Sequence, residues 1–219
     1  MSIEQRLKTA GFTTDTLKPL VKTDQGQIWS IESPGGSTAI DLWHKLRSQL
    51  HITMHTPIVI GDTAEIEEWK EVVGGDPTTV ESILREAAMT DGKDVLDRLA
   101  AQRLEAFEGE DATLSDIGEW PTEANPSSAA EFSSVLDVTM RKPLKSVTIA
   151  LLPTIASWMA PAYLKFGGWN DCPNPEDQVS VFKYWTRLYA VDIFAITRDV
   201  VEVHVTNPPT TRDAAVALA

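Results

Sequence analysis

The chain has 219 residues, enough to bury a substantial hydrophobic core in one domain or in two small modules. Its apolar fraction of 42% and charged fraction of 23% are typical of a globular protein and exclude a disordered chain. The 32 acidic side chains outnumber the 19 basic ones, and the net charge of −13 argues against nucleic-acid binding and favours a basic protein partner.

The N-terminal part of the chain alternates between helical and strand patterns. In the clearest helical pattern, Ile40, Trp43, Leu46 and Leu50 recur at helical spacing and predict a buried helix face. Thr63 is placed to cap a later helix. In chain order we predict a helix over 3–10, a strand over 27–32, a helix over 38–50, a strand over 57–61, a helix over 64–73, and two more helices that begin near residues 77 and 92.

An acidic segment over residues 108–131 separates an N-terminal part, 1–107, from a C-terminal part, 132–219. It is rich in proline and serine and has no basic residue, which predicts a solvated linker or long loop. The alternative is an acidic arm that docks on a basic partner. Its candidate binding residues are Glu110, Asp111, Asp116, Glu119 and Trp120.

The C-terminal part begins with an uncharged stretch, residues 147–164, that is about as long as a membrane-spanning helix. Pro153 and Pro161 interrupt it, so we favour a buried strand over 145–152 followed by a helix over 155–165, and expect no membrane partner.

The remaining elements follow residues 166–177, a segment rich in turn-forming residues that we call the corner segment. Asn174 and Pro175 are typical of a helix start. The apolar segments 191–197 and 200–205 are close enough in sequence to form a β-hairpin. Thr210 then fits the cap of a final helix. The predicted fold class is α/β, with a central mixed β-sheet, a C-terminal β-hairpin and several packed helices. The two parts are expected to pack as one unit, because each supplies few strands for a sheet of its own.

Several short motifs in residues 162–219 are shared with a known family. They are Gly167-Gly168-Trp169-Asn170, Cys172-Pro173, Trp185 with Tyr189 four residues later, Pro208-Pro209-Thr210 and the alanine-rich tail. By these motifs the chain resembles the bacterial family known as domain of unknown function 4253. Segments 42–47 and 56–62 are also similar to segments of such proteins. The resemblance implies a bacterial α/β protein of no established activity, so it assigns no catalytic residues.

The corner segment 166–177 has a structural explanation for most of its residues, as a helix stop, a turn and a helix start. Trp169 and Cys172 are left without one. Because aromatic residues are enriched at binding surfaces, we predict that the corner presents Trp169, with Asn170 beside it, at a surface or pocket.

An enzyme is the alternative. Cys172 would be the nucleophile, His204 its base, and Asn170 and Asp171 would line the same pocket, as in a hydrolase of unrecognised type. In the competing interpretation Cys172 is structural and packs beneath Trp169.

Two histidines have the spacing of metal ligands. His51 and His55 lie four residues apart, as on a zinc-binding helix, but the segment is expected to be a loop, where this spacing loses its meaning. We therefore predict neither a metal site nor a cofactor.

The single cysteine excludes an internal disulfide and favours a reducing compartment. The N-terminus has no apolar signal-peptide core, so a cytoplasmic location is expected. The favoured hypothesis is a soluble, acidic protein-binding module, in its most concrete form an immunity-like or adaptor protein that masks a basic partner such as a toxin. The sequence leaves the oligomeric state open.

Overall fold

The computed structural model describes residues 1–106, 132–137 and 139–216. Within these ranges the helices are α1 (Ile3–Thr9), α2 (Gly36–Ser48), α3 (Leu50–Thr53), α4 (Ile66–Gly75), α5 (Val80–Ala87), α6 (Gly92–Ala106), α7 (Ala160–Leu164), α8 (Pro175–Tyr189) and α9 (Arg212–Val216). The strands are β1 (Lys18–Thr23), β2 (Gly26–Ser33), β3 (Thr56–Asp62), β4 (Leu136–Asp137), β5 (Lys142–Pro143), β6 (Val147–Leu152), β7 (Val191–Ile196) and β8 (Val201–Val205).

Six strands form one mixed sheet in the order β1-β2-β6-β3-β7-β8. Neighbouring strands are antiparallel except β3 and β7, which are parallel. The sheet interleaves the two parts of the chain, since β6 lies between β2 and β3, and β3 lies between β6 and β7. Every side chain of β6 is buried, as expected of a central strand covered on both faces. The predicted mixed α/β fold with its C-terminal hairpin is confirmed.

Helices cover both faces of the sheet. We call the face covered by α4, α5, α7 and α8 the α8 face; it buries Ile58 and Ile60 of β3. The opposite face, covered by α1 and α2, is the α2 face, and it buries Val59. This alternation is the period-2 pattern of a strand.

On the α2 face the almost fully buried Trp43 ring donates its indole N–H to the Pro57 carbonyl at 2.9 Å, so burial of the ring leaves no donor unpaired.

The structure contains two elements, β1 and α3, that the sequence did not predict. Strand β1 was not predicted, because among its six residues only Leu20 is buried, as suits an edge strand that also tolerates Pro19. Residues 51–55, predicted as a loop, include most of the short helix α3, which ends where Met54 takes a left-handed conformation with φ 56°.

The predicted helix over 155–165 is divided. Its first turn is a 3-10 turn, Ser157–Met159, and α7 follows. Ser157 is held against β7, since its Oγ donates to Asp192 Oδ1 at 3.0 Å, and the chain before it is extended. Among the described residues no helix has the length and the apolar character needed to span a bilayer.

At two helix starts the capping residue differs by one position from the predicted one, because two residues that can cap a helix are adjacent in the sequence. Asp62, not Thr63, accepts the backbone N–H that begins the turn before α4. Thr211, not Thr210, accepts from a backbone N–H of α9 at 3.2 Å. Helix α8 begins after Asn174 as predicted, although no backbone N–H of this described helix donates to the Asn174 side chain.

Glu202 of β8 fixes the segment that precedes β4. Its carboxylate accepts hydrogen bonds from the backbone N–H groups of Ser133 and Ser134, at 2.6 and 3.0 Å, and from both hydroxyls. Phe132 stacks on Phe194 with ring centroids 3.7 Å apart. Partial burial raises the pKa of Glu202, but the hydrogen bonds from the two serines outweigh it, and the net pKa lies below the usual value.

We expect Glu202→Gln to weaken this attachment and to lower the free energy of unfolding by about 1–3 kcal/mol at neutral pH, since an amide retains one acceptor oxygen of the two. A lowered pKa stabilises the fold above the usual glutamate pKa, and this stabilisation is lost as the pH falls through the folded-state pKa. Urea unfolding between pH 7 and pH 3 checks both effects. The exposed Glu86→Gln is the control, and equal pH dependence in wild type and Glu202→Gln would contradict the assignment.

Candidate functional site

The corner loop, residues 166–174, connects α7 to α8 in a conformation that requires glycine. Gly167 has φ 120° and Gly168 has φ 83°, both in the left-handed region. A Cβ atom on Gly167 would lie 2.1 Å from the Pro173 carbonyl oxygen, far inside contact distance. The Gly168 N–H donates to that same oxygen at 3.1 Å, and the Cys172 N–H donates to the Trp169 carbonyl at 2.9 Å. The loop is therefore closed by its own backbone.

Gln178, in the first turns of α8, ties both ends of the loop to the helix. The residue is 7% exposed, and its side-chain Nε2 donates to the Phe166 and Pro173 carbonyls, each at 3.0 Å. We did not predict a role for Gln178 from the sequence. The signal was its helical spacing from Phe182 and Trp185, which places an amide on the apolar stripe of α8. A buried amide on such a stripe indicates a specific hydrogen-bonding role.

The loop holds Trp169 at the mouth of a pocket. Its ring meets Phe166 edge to face, with centroids 5.0 Å apart, and 37% of the residue stays exposed. The pocket has a volume of about 260 Å³. Its apolar lining is Trp69, Val72, Leu164, Phe166 and Trp169, and its charged lining is Glu65, Glu68, Lys165 and Arg198.

The pocket lies beyond the carboxyl ends of the parallel pair β3 and β7. Glu65 and Glu68 follow β3 in the chain, and Arg198 follows β7. Carboxyl ends of parallel strands commonly frame ligand sites in α/β folds, because the connections there splay apart. The topology thus brings together side chains that are far apart in the sequence.

The charged lining of the pocket holds two carboxylates and two basic groups. Arg198 Nη2 is 3.7 Å from Glu68 Oε1, and both side chains are more than half exposed, so this ion pair is weak. Glu65 has no ion-pair partner among the described residues. The buried ammonium of Lys165 donates to the carbonyls of Asp76 and Thr78 in the α4–α5 connection.

Comparison with known proteins identifies the segment that carries the corner loop. Residues 148–219 match the family model described as domain of unknown function, DUF4253. The predicted resemblance is confirmed for this third of the chain. No curated protein and no solved structure matches the sequence. Trp169, Gln178 and Arg198 lie inside the DUF4253 segment, whereas Glu65 and Glu68 lie outside it, so the pocket combines both.

The structure does not bring together the residues of the alternative catalytic site. Cys172, in the DUF4253 segment, packs against the core of the α8 face. His204 is on the α2 face, with its ring 6.0 Å from that of His44 and 6.3 Å from that of Trp43. The sheet separates the two, and the prediction of one pocket around both is corrected accordingly. Asn170 and Asp171 lie in the turn of the corner loop, directly before Cys172 in the chain.

The electrostatics of Cys172 do not favour a nucleophile. Partial burial raises the pKa of its thiol, and the weak hydrogen bond from Gln178, at 3.6 Å, only partly offsets this. A nucleophilic cysteine needs the opposite shift, toward the thiolate.

The remaining predictions concern the acidic segment and the histidine pair. Glu110, Asp111, Asp116, Glu119 and Trp120 lie outside the described residues. The ring Nδ1 of His55 is 2.8 Å from the Thr53 carbonyl oxygen, and burial lowers the pKa of His55. Among the described residues no group of three or more His, Cys, Asp or Glu side chains is arranged to hold a metal ion.

We expect Gly167→Ala to lower the free energy of unfolding by about 2–5 kcal/mol, because it adds both backbone strain and a clash with the Pro173 carbonyl. The matched control is Gly74→Ala in α4, where nothing lies within 4 Å of the added Cβ and the helix gains from alanine. Urea unfolding compares the two. Similar effects of both substitutions would show that the loop conformation is not constrained.

We expect Cys172 to react slowly at neutral pH, because its raised pKa leaves the thiol protonated. The rate of alkylation by iodoacetamide should rise with pH through a midpoint above that of the same cysteine in urea-unfolded protein. A midpoint below the unfolded value would instead support an activated nucleophile.

Proposed function

We propose that this protein is a cytoplasmic protein-binding module that takes up a basic protein at the Trp169 pocket, in its most concrete form an immunity-like or adaptor protein that masks a partner such as a toxin. The observation that carries the proposal is a partly exposed tryptophan at the mouth of an apolar pocket whose rim holds two glutamates.

The aromatic wall of the pocket suits an anchor for a partner's side chain. Tryptophan is strongly enriched among the residues that dominate binding energy at protein interfaces. Trp169 is held by a loop whose ends are tied to α8 by Gln178, so little conformational freedom is lost when a partner binds. A rigid, half-exposed aromatic residue beside an apolar hollow is therefore an efficient contact.

The charge of the protein supports a basic partner. The net charge of −13 gives a long-range attraction for cationic proteins, and Glu65 and Glu68 place negative charge at the pocket itself. The acidic segment 108–131 adds seven carboxylates and no basic residue. Such complementarity acts mainly on the association rate and on partner choice.

The experiment is affinity purification of the tagged protein from its own cells at low salt, followed by titration of the purified partner. We expect one stoichiometric basic protein that is lost at high salt. Trp169→Ala should weaken its binding by about 30-fold or more, because a buried tryptophan anchor contributes at least about 2 kcal/mol. Glu65→Gln with Glu68→Gln should slow association and flatten its salt dependence.

Glu71→Gln is the matched control, since Glu71 is exposed on α4, the helix that carries Glu68, and does not line the pocket. It should leave affinity unchanged. Binding that is insensitive to salt and equal in wild type and Trp169→Ala would sink the proposal.

A further inference from the structure

A second cleft lies on the α8 face of the molecule, between α8 and the connection from α5 to α6. Its volume is about 500 Å³, within the range of small-molecule sites. The residues that give it chemical character are Asp91, Trp158, Lys183, Tyr184 and Arg187. None of them lines the Trp169 pocket, so the two sites are separate.

Two cations stand one helical turn apart along this cleft, each beside an aromatic ring. Lys183 Nζ is 5.3 Å from the centroid of the Trp158 ring, and the Arg187 guanidinium carbon is 5.4 Å from that of Tyr184. Cation–π contacts of this kind attract the charge to a defined place on the ring face. The pair therefore presents positive charge in an ordered arrangement.

The local charge is opposite in sign to that of the whole protein. Against Lys183 and Arg187, the only carboxylate in the described lining is that of Asp91. Asp91 already accepts the Lys93 N–H at 2.9 Å and lies 3.7 Å from Arg187. The chain as a whole has a net charge of −13, so a cleft with more basic than acidic side chains differs from the rest of the protein.

Close helix packing holds the wall of the cleft. A Cβ atom on Gly92 would lie 2.3 Å from the Ser180 carbonyl oxygen, so glycine is required where α6 starts against α8. Ser180 Oγ donates to the Ala87 carbonyl at 2.9 Å and joins α8 to the end of α5. The cleft is thus a fixed feature of three packed helices.

We propose that this cleft binds a small anion that carries an aromatic ring. The anionic group lies between Lys183 and Arg187, which form charge-assisted hydrogen bonds with it. The ring of the ligand packs against Trp158 and Tyr184 and beneath Met89, which is 78% exposed at the rim. Both features are needed, because neither two surface cations nor two aromatic residues alone define a selective site.

The test is isothermal titration calorimetry of the full chain with phenyl phosphate and adenosine 5′-monophosphate, compared with inorganic phosphate and adenosine. We expect at least one of the two aromatic phosphates to bind at least about tenfold more tightly than inorganic phosphate and, for the nucleotide, than adenosine. Lys183→Gln and Arg187→Gln should each weaken that binding by about fivefold or more, as expected for the loss of a charge-assisted contact. Both side chains are exposed, so the fold is retained.

Lys45→Gln, an exposed lysine on α2, is the matched control for a lost positive charge and should not change the affinity. The proposal is overturned if neither aromatic phosphate binds, if inorganic phosphate or adenosine binds as tightly, or if Lys45→Gln weakens binding as much as Lys183→Gln does. Trp169→Ala should leave this binding unchanged, so the outcome is independent of the function proposed for the Trp169 pocket.

Discussion

The position of β3 between β6 and β7 is the constraint on which the rest of the structure depends. The strands β7 and β8, and all of β6 except Val147, lie in the DUF4253 segment, but β6 and β7 are not neighbours. They are joined only through β3, which pairs antiparallel with one and parallel with the other. The matched segment therefore does not form its part of the sheet by itself. The parallel pair that frames the Trp169 pocket exists because one of its strands comes from residues 56–62.

Much of the fold follows from local sequence patterns, and the exceptions have physical causes. The strands with continuous apolar residues, such as β6, are recognisable because both of their faces are buried. Strand β1 is not, because an edge strand with one buried residue has the composition of a loop. Helix boundaries are displaced where Asp62 and Thr63, or Thr210 and Thr211, offer alternative caps at adjacent positions, and only tertiary packing decides between them.

The candidate site was predictable only in its local part. The exposure of Trp169 followed from eliminating structural roles within the corner loop. The pocket around it needs Glu65 and Arg198 to be neighbours, which depends on the sheet order and not on any short motif. The prediction that Cys172 and His204 share a pocket was wrong for the same reason, because the order of the strands decides which residues become neighbours. The alternation along β8 predicts that His204 and the valines of this strand point to different faces of the sheet. It does not predict which of the two faces the corner loop packs against, because that depends on the order of the strands and the connections between them.

The buried ammonium of Lys165 has a consequence for the shape of the Trp169 pocket. Its side chain is 7% exposed and donates to two carbonyls in the connection that follows α4, so the helix that carries Glu68 is coupled to the segment that carries Trp169. Charge-assisted bonds in a dry environment resist displacement. These bonds tie the two walls of the pocket to each other. A change at Lys165 would therefore alter the shape of the pocket without touching any residue exposed at its surface.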